Sequence, residues 1–146
     1  MTISEAYDFL NSTRRTEAEI QKLTIRHDEL QTCLLPGAIR YDGDRVQTSP
    51  DDKMSEIAAE VVDLERQIQE LKIRKAEQVR QIEDAIRMLN DDAEQLVLMG
   101  FYVGRMPAVR VADLLHYTQR GAYKVRRRAV QHLAEKCSNS SQLITT

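Results

Sequence analysis

Between Thr118 and Leu133 the chain concentrates hydrogen-bond donors and fixed positive charge: Gln119, Arg120, Tyr123, Lys124, Arg126, Arg127 and Arg128. On a helix advancing about 100° per residue from Gln119, the residues Gln119, Tyr123, Arg127, Arg120 and Lys124 fall between roughly 0° and 140°. Ala122, Val125, Ala129 and Leu133 fall between roughly 240° and 320°, a narrow apolar face on the other side. A helix divided this way anchors itself through one face and offers donors from the other. That is the division a helix needs to read base edges in a major groove. Arg110, Arg126 and Arg128 lie off both faces and suit phosphate contacts, and Thr118 is placed to hold the backbone where the helix begins.

The distribution of charge agrees. Residues 100 to 136 carry a net +6, so the rest of a chain with formal net charge −2 carries −8. A basic block on an acidic chain favours a local polyanion partner, because the acidic remainder weakens non-specific capture. A merely solvated basic helix is the alternative reading of the charge alone. Catalysis is not expected. His27, His116 and His132 are scattered, and there is no P-loop, HExxH or nucleophile elbow. Asp42 and Asp44 resemble a fragment of a calcium loop without its remaining ligands. Cys33 and Cys137 form no CxxC pair, so neither a metal site nor a disulfide framework is indicated, and no cofactor is implied. No apolar stretch approaches the roughly 18 residues of a membrane helix, and the N-terminal MTISEAYDFL has no secretory character. The expectation is a cytoplasmic chain with no membrane partner.

The elements that position the basic face follow from the pattern of the whole 146-residue chain. A charged fraction of 30%, five glycines, no tryptophan and a mean hydropathy of −0.49 favour long solvated helices. Ile3, Tyr7, Leu10, Ile20, Leu23, Leu30 and Leu34 mark one helical stripe from Ile3 to Leu35, with His27 in a seam position and a polar gap from Thr13 to Glu17. Pro36 and Gly37 stop it, and Asp42-Gly43 signals a β-hairpin-like loop at 36–50. Ser49-Pro50-Asp51-Asp52 starts a second long helix, whose seam runs from Met54 through Ile68 and Ile82 to Leu96 with a stutter at Leu71-Lys75-Val79. Asn90-Asp91-Asp92 caps a helix over 93–103, which Gly104 ends. Met106-Pro107 begins another, with Val109, Ala112 and Leu115 inward and Val111 and Leu114 at its edges. His116-Tyr117-Thr118 turns into the basic helix, expected to run to about Lys136. The predicted fold class is all-α: a long antiparallel, coiled-coil-like helical hairpin over 1–90, a helix-turn-helix over 91–137 and a disordered tail at 138–146.

The segment YVGRMPAVRVADLLHYTQRGAYKVRRRAVQHL resembles sigma-factor region 4, with Leu115, Tyr117, Thr118, Arg128, Ala129 and Leu133 in the positions of that motif. The whole chain, including RYDGDRVQTSPDDKM and IAAEVVDLERQI, resembles small regulators of the ArpU/RinA type from bacteriophages and prophages of Gram-positive bacteria. The resemblance implies a phage late-gene transcription regulator with a sigma-like DNA-binding end. The first functional reading is therefore sequence-specific binding of double-stranded DNA, with Gln119, Arg120, Tyr123, Lys124 and Arg127 reading bases and Arg110, Thr118, Arg126 and Arg128 holding the backbone. The alternative is an interaction module whose coiled hairpin binds RNA polymerase or another phage protein, the basic end being a tether. The long apolar seam also predicts a homodimer through the long helices.

Overall fold

Thr2 opens the first helix with a reciprocal cap: its hydroxyl accepts from the Glu5 amide at 3.1 Å and the Glu5 carboxylate accepts from the Thr2 amide at 3.4 Å. The computed structural model describes residues 1–35 and 50–144, with side chains described for 1–35 and 51–139, and it contains no strand among them. The protein is all-α. Helix α1 spans Ile3–Leu10 and α2 spans Ser12–Cys33, so the single helix expected from Ile3 to Leu35 is broken at Asn11. Asparagine competes locally for backbone hydrogen bonds and tolerates the non-helical φ −91°, ψ 2° seen there. Ala6 and Leu10, at 0% and 1% exposed, are buried on α1 just before the break.

Helix α3 spans Pro50–Arg87, with proline in its first turn, Asp51 and Asp52 beside its positive end and Arg87 at its negative end. The expected hairpin loop at 36–50 lies, except for Pro50, outside the described residues. Helix α4, Asp92–Leu98, is capped by Asp91, whose carboxylate accepts from the Ala93 amide at 2.9 Å. Met99–Val103 then forms a π-helical turn, in which the Gly104 amide donates to the Met99 carbonyl at 2.8 Å. An ordinary helix was expected over 93–103. The wider turn seats Tyr102 in one apolar cluster and sets Phe101 against two. It also brings Gly100 so close to α5 that a Cβ there would stand 3.1 Å from Val111 Cγ2.

Helix α5, Ala108–Leu115, follows Pro107, and its inner face differs from the expected one. Val111 and Ala112 are buried, whereas Val109 and Leu114 are about half exposed. Residues 108, 111, 112 and 115 form the i, i+3, i+4, i+7 stripe that was misplaced by one position. His116 ends α5 in the left-handed region at φ 58°, and the Tyr117 amide returns to the Ala112 carbonyl at 2.9 Å. After this three-residue turn, Thr118 caps α6 by accepting from the Gly121 amide at 3.1 Å. Helix α6 spans Gln119–Ile144, well beyond Lys136. The disordered tail expected at 138–146 is helical as far as Ile144, because Ser138 to Leu143 contain neither glycine nor proline and Cys137 packs partly against the core. Burial pushes the Cys137 thiol above its ordinary value, so it stays protonated.

Two compact units result, and their boundary is not the expected one at residue 90. One unit comprises residues 1–13 with 76–146, the other residues 14–75. In the first, Ala6 and Leu10 of α1, Ile82, Ala85 and Ile86 of α3, Leu89, and Ala129, Val130, Leu133 and Ala134 of α6 share one cluster with Leu98 and Tyr102. The start of the chain and the end of α3 therefore belong to the core around α6. Ile82 is 1% exposed within that cluster and offers no surface to a second chain. In the other unit Val61 and Leu64 are buried, and side-chain pairs run from α2 to α3: Glu17 to Lys75 at 4.0 Å, His27 to Glu65 at 2.9 Å and Arg26 to Glu60 at 3.1 Å. Residue numbers rise along one helix as they fall along the other.

Candidate nucleic-acid interface

The anchoring half of α6 is complete. Ala122 and Val125 pack with Val97 of α4 and Val111 and Ala112 of α5, while Ala129, Val130 and Leu133 lie fully buried in the larger cluster. Each valine or leucine buried this way contributes about 1.5–3 kcal/mol, so rotation of α6 about its axis is strongly opposed. The face expected to read bases is thereby turned outward: Gln119, Arg120, Tyr123, Lys124 and Arg127 are all exposed. None of the three basic ones has an ion-pair partner among the described residues. Arg110 on α5 is likewise exposed and unpaired among them. Thr118, also exposed, commits its hydroxyl oxygen to the cap, which fixes the residue at the start of α6.

Arg126 and Arg128 behave differently from one another. The Arg126 guanidinium carbon lies 4.9 Å from the ring centroid of Phe101 and 4.9 Å from that of Tyr123. The two rings stack on each other at 5.9 Å, inclined by 22°. Arg126 Nε is buried without a hydrogen-bond partner among the described residues, and the two rings hold it in place. Arg128, expected at a phosphate, instead donates from Nε to Glu94 Oε1 at 2.8 Å and from Nη2 to Asp91 Oδ2 at 3.3 Å. Glu94 is 2% exposed and also binds His132 Nδ1 at 2.8 Å. A carboxylate removed from water needs such partners, which makes Arg128 its structural counterion and His132 a hydrogen-bonding neighbour. These residues line a groove of about 400 Å³ together with Leu89, Glu135 and Lys136, and its charge is mixed in sign.

No family model, curated protein or solved structure matches the chain. Its site must be read from its own residues. Two residues that shape it, Glu94 and Phe101, escaped the sequence reading. Glu94 looked like one more acid in a first helical turn, where the dipole favours it anyway. Phe101, one of only two phenylalanines, carried a weak signal by rarity alone. No helix among the described residues is long and apolar enough to cross a membrane.

Proposed function

We propose that the chain binds double-stranded DNA in a sequence-specific manner and regulates transcription, with α5, the turn at 116–118 and α6 acting as a helix-turn-helix. The observation that carries this reading is the exposed first half of α6. Its outward face holds Gln119, Arg120, Tyr123, Lys124 and Arg127 with no acidic side chain paired to its cations among the described residues, while the opposite face is locked into a core. In this reading α6 enters the major groove by its N-terminal turns, and Arg110, Thr118 and Arg126 face the backbone. Arg128 has no part in it. The likeness of residues 102–133 to sigma-factor region 4, and of the chain to ArpU/RinA-type regulators, extends the proposal to phage or prophage genes in a bacterial cytoplasm.

A second role is favoured by unit 14–75. Ile25, Val62 and Ile73 stand 69%, 64% and 59% exposed on helices whose ion pairs run in opposite registers. We infer an antiparallel helical hairpin that supplies a contact surface, for a second copy of the chain or for RNA polymerase.

Selection of bound duplexes from a random pool, followed by titration at several salt concentrations, tests the DNA reading. The expected result is an enriched motif and an affinity falling steeply with salt. Arg120→Ala should weaken binding to that motif by about 1–3 kcal/mol, roughly 5- to 150-fold, and relax the preference at one position. Failure to enrich any sequence overturns the proposal, and unchanged selection by Arg120→Ala removes that residue from the reading face.

A further inference from the structure

We infer that Phe101, which lies outside the basic helix, is a positioning residue for the DNA-binding face, acting by holding Arg126 and Tyr123 in one preformed stack. The inference rests on the DNA-binding reading above and adds to it a residue from a different element.

The π-helical turn at Met99–Val103 presents Phe101 to α6, and Tyr123 and Arg126 come from successive turns of α6 itself. Three planar groups meet there: two rings 5.9 Å apart and nearly parallel, and a guanidinium 4.9 Å from both centroids. Such an arrangement restricts both Tyr123 and Arg126. Tyr123 is 43% exposed, so its ring keeps a free surface while its orientation is set by Phe101. A long side chain that is already ordered loses less freedom when it grips a ligand than one that samples many rotamers.

The electrostatics separate Arg126 from Arg128, two positions further on. Arg128 is neutralised by Glu94 and Asp91. Arg126 has no carboxylate partner among the described residues, and its Nε makes no hydrogen bond. Aromatic faces orient a cation without cancelling its charge, so the stack delivers a positioned guanidinium still able to attract an anion. A duplex phosphate flanking the bases read by Arg120 and Lys124 is the anion of that kind which the reading supplies.

The test is a double-mutant cycle on the duplex selected by the wild-type protein. Phe101→Leu should lower affinity about tenfold, reduce the salt slope by about one unit, as removal of one phosphate contact does, and relax the preference at the base that Tyr123 reads. Phe101→Tyr keeps the ring and should recover affinity to within about twofold. In an Arg126→Ala background, Phe101→Leu should cause no further fall in the salt slope. Full affinity and slope in Phe101→Leu, or an equal fall in slope in the Arg126→Ala background, overturns the inference, since the first denies any role and the second separates Phe101 from Arg126. Circular dichroism accompanies each variant. If Phe101→Leu is unfolded at the assay temperature, the cycle is run with Phe101→Met, which keeps the side-chain volume without the ring, and additive slope losses with Arg126→Ala overturn the inference. A wild-type protein that selects no duplex removes the functional reading and this inference together. A wild-type protein that selects one, with an additive cycle, removes only the inference.

Discussion

Arg128 shows how a single residue changes role once its surroundings are known. In the sequence it is one of three consecutive arginines, Arg126 to Arg128, and all three look available to a polyanion. In the fold Arg126 is stacked, Arg127 is exposed and Arg128 is bonded to a carboxylate that is 2% exposed. Arg128→Ala should therefore destabilise the protein by about 1–3 kcal/mol, the cost of leaving a buried acceptor short of a charged donor, and should leave the salt slope of DNA binding unchanged. Urea denaturation and a salt titration on the same variant check both halves. His27 makes a different residue-scale prediction. Its ring is 14% exposed, and hydrogen bonds with Glu65, then Asp28, raise its pKa above the ordinary 6.5. The folded state thus binds this proton more tightly than the unfolded chain, so the stabilisation is fully present below about pH 6.5 and is lost as pH rises through the raised folded value. Between about pH 6 and about pH 8 the wild type should lose more stability than His27→Gln, as measured by denaturant midpoints at both.

At the scale of elements, periodicity located nearly every helix, while tertiary contacts decided where each bends and which way it faces. The caps were legible because they are local. Asp91 and Thr118 each bond an amide two or three residues ahead, so the sequence contains both partners. The π-helical turn at Met99–Val103 was not, since it answers to the packing of Phe101 and Tyr102 against residues far along the chain, and the break at Asn11 went unread because one asparagine is a weak local signal. The seam of α3 illustrates the consequence. Read as a heptad pattern, Ile68 and Ile82 are equivalent interface positions. Ile68 is only partly buried, whereas Ile82 sits between α1 and α6 residues at 1% exposure. Ile82→Glu should therefore destabilise its unit by about 4 kcal/mol or more, with early loss of cooperative unfolding, and Ile68→Glu should cost considerably less. Thermal melts followed by circular dichroism distinguish them.

On the scale of the whole molecule, both ends of the chain enter one compact unit and the middle forms another. The candidate DNA face lies in the first, and the exposed Ile25, Val62 and Ile73 lie in the second. Burial removes Ile82 from any interface between chains, and the proposed self-association rests on the exposed apolar residues of 14–75. Sedimentation equilibrium at micromolar protein should give about twice the chain mass of 16.8 kDa. Val62→Glu should restore the single-chain mass and weaken binding to a two-half-site duplex, because linked half-sites multiply affinity through effective concentration. A wild-type mass near 16.8 kDa would make the chain a monomer and confine DNA recognition to one half-site.

The sequence alone determined that the described chain is helical, that Thr118 and the segment Asn90-Asp91-Asp92 begin helices, and that α6 has an apolar face opposite a basic one. Those features depend on neighbours one to four residues away, where the 3.6-residue period and the capping geometry act. Only the tertiary structure decided that Val111 faces inward in place of Val109, that Ile82 belongs to the core around α6, and that Arg128 is neutralised while Arg126 is stacked. Glu94 lies 34 positions from Arg128 and Phe101 lies 25 from Arg126. Separations of that length are invisible to any local pattern, and they close only when the apolar faces of α4, α5 and α6 are buried against one another.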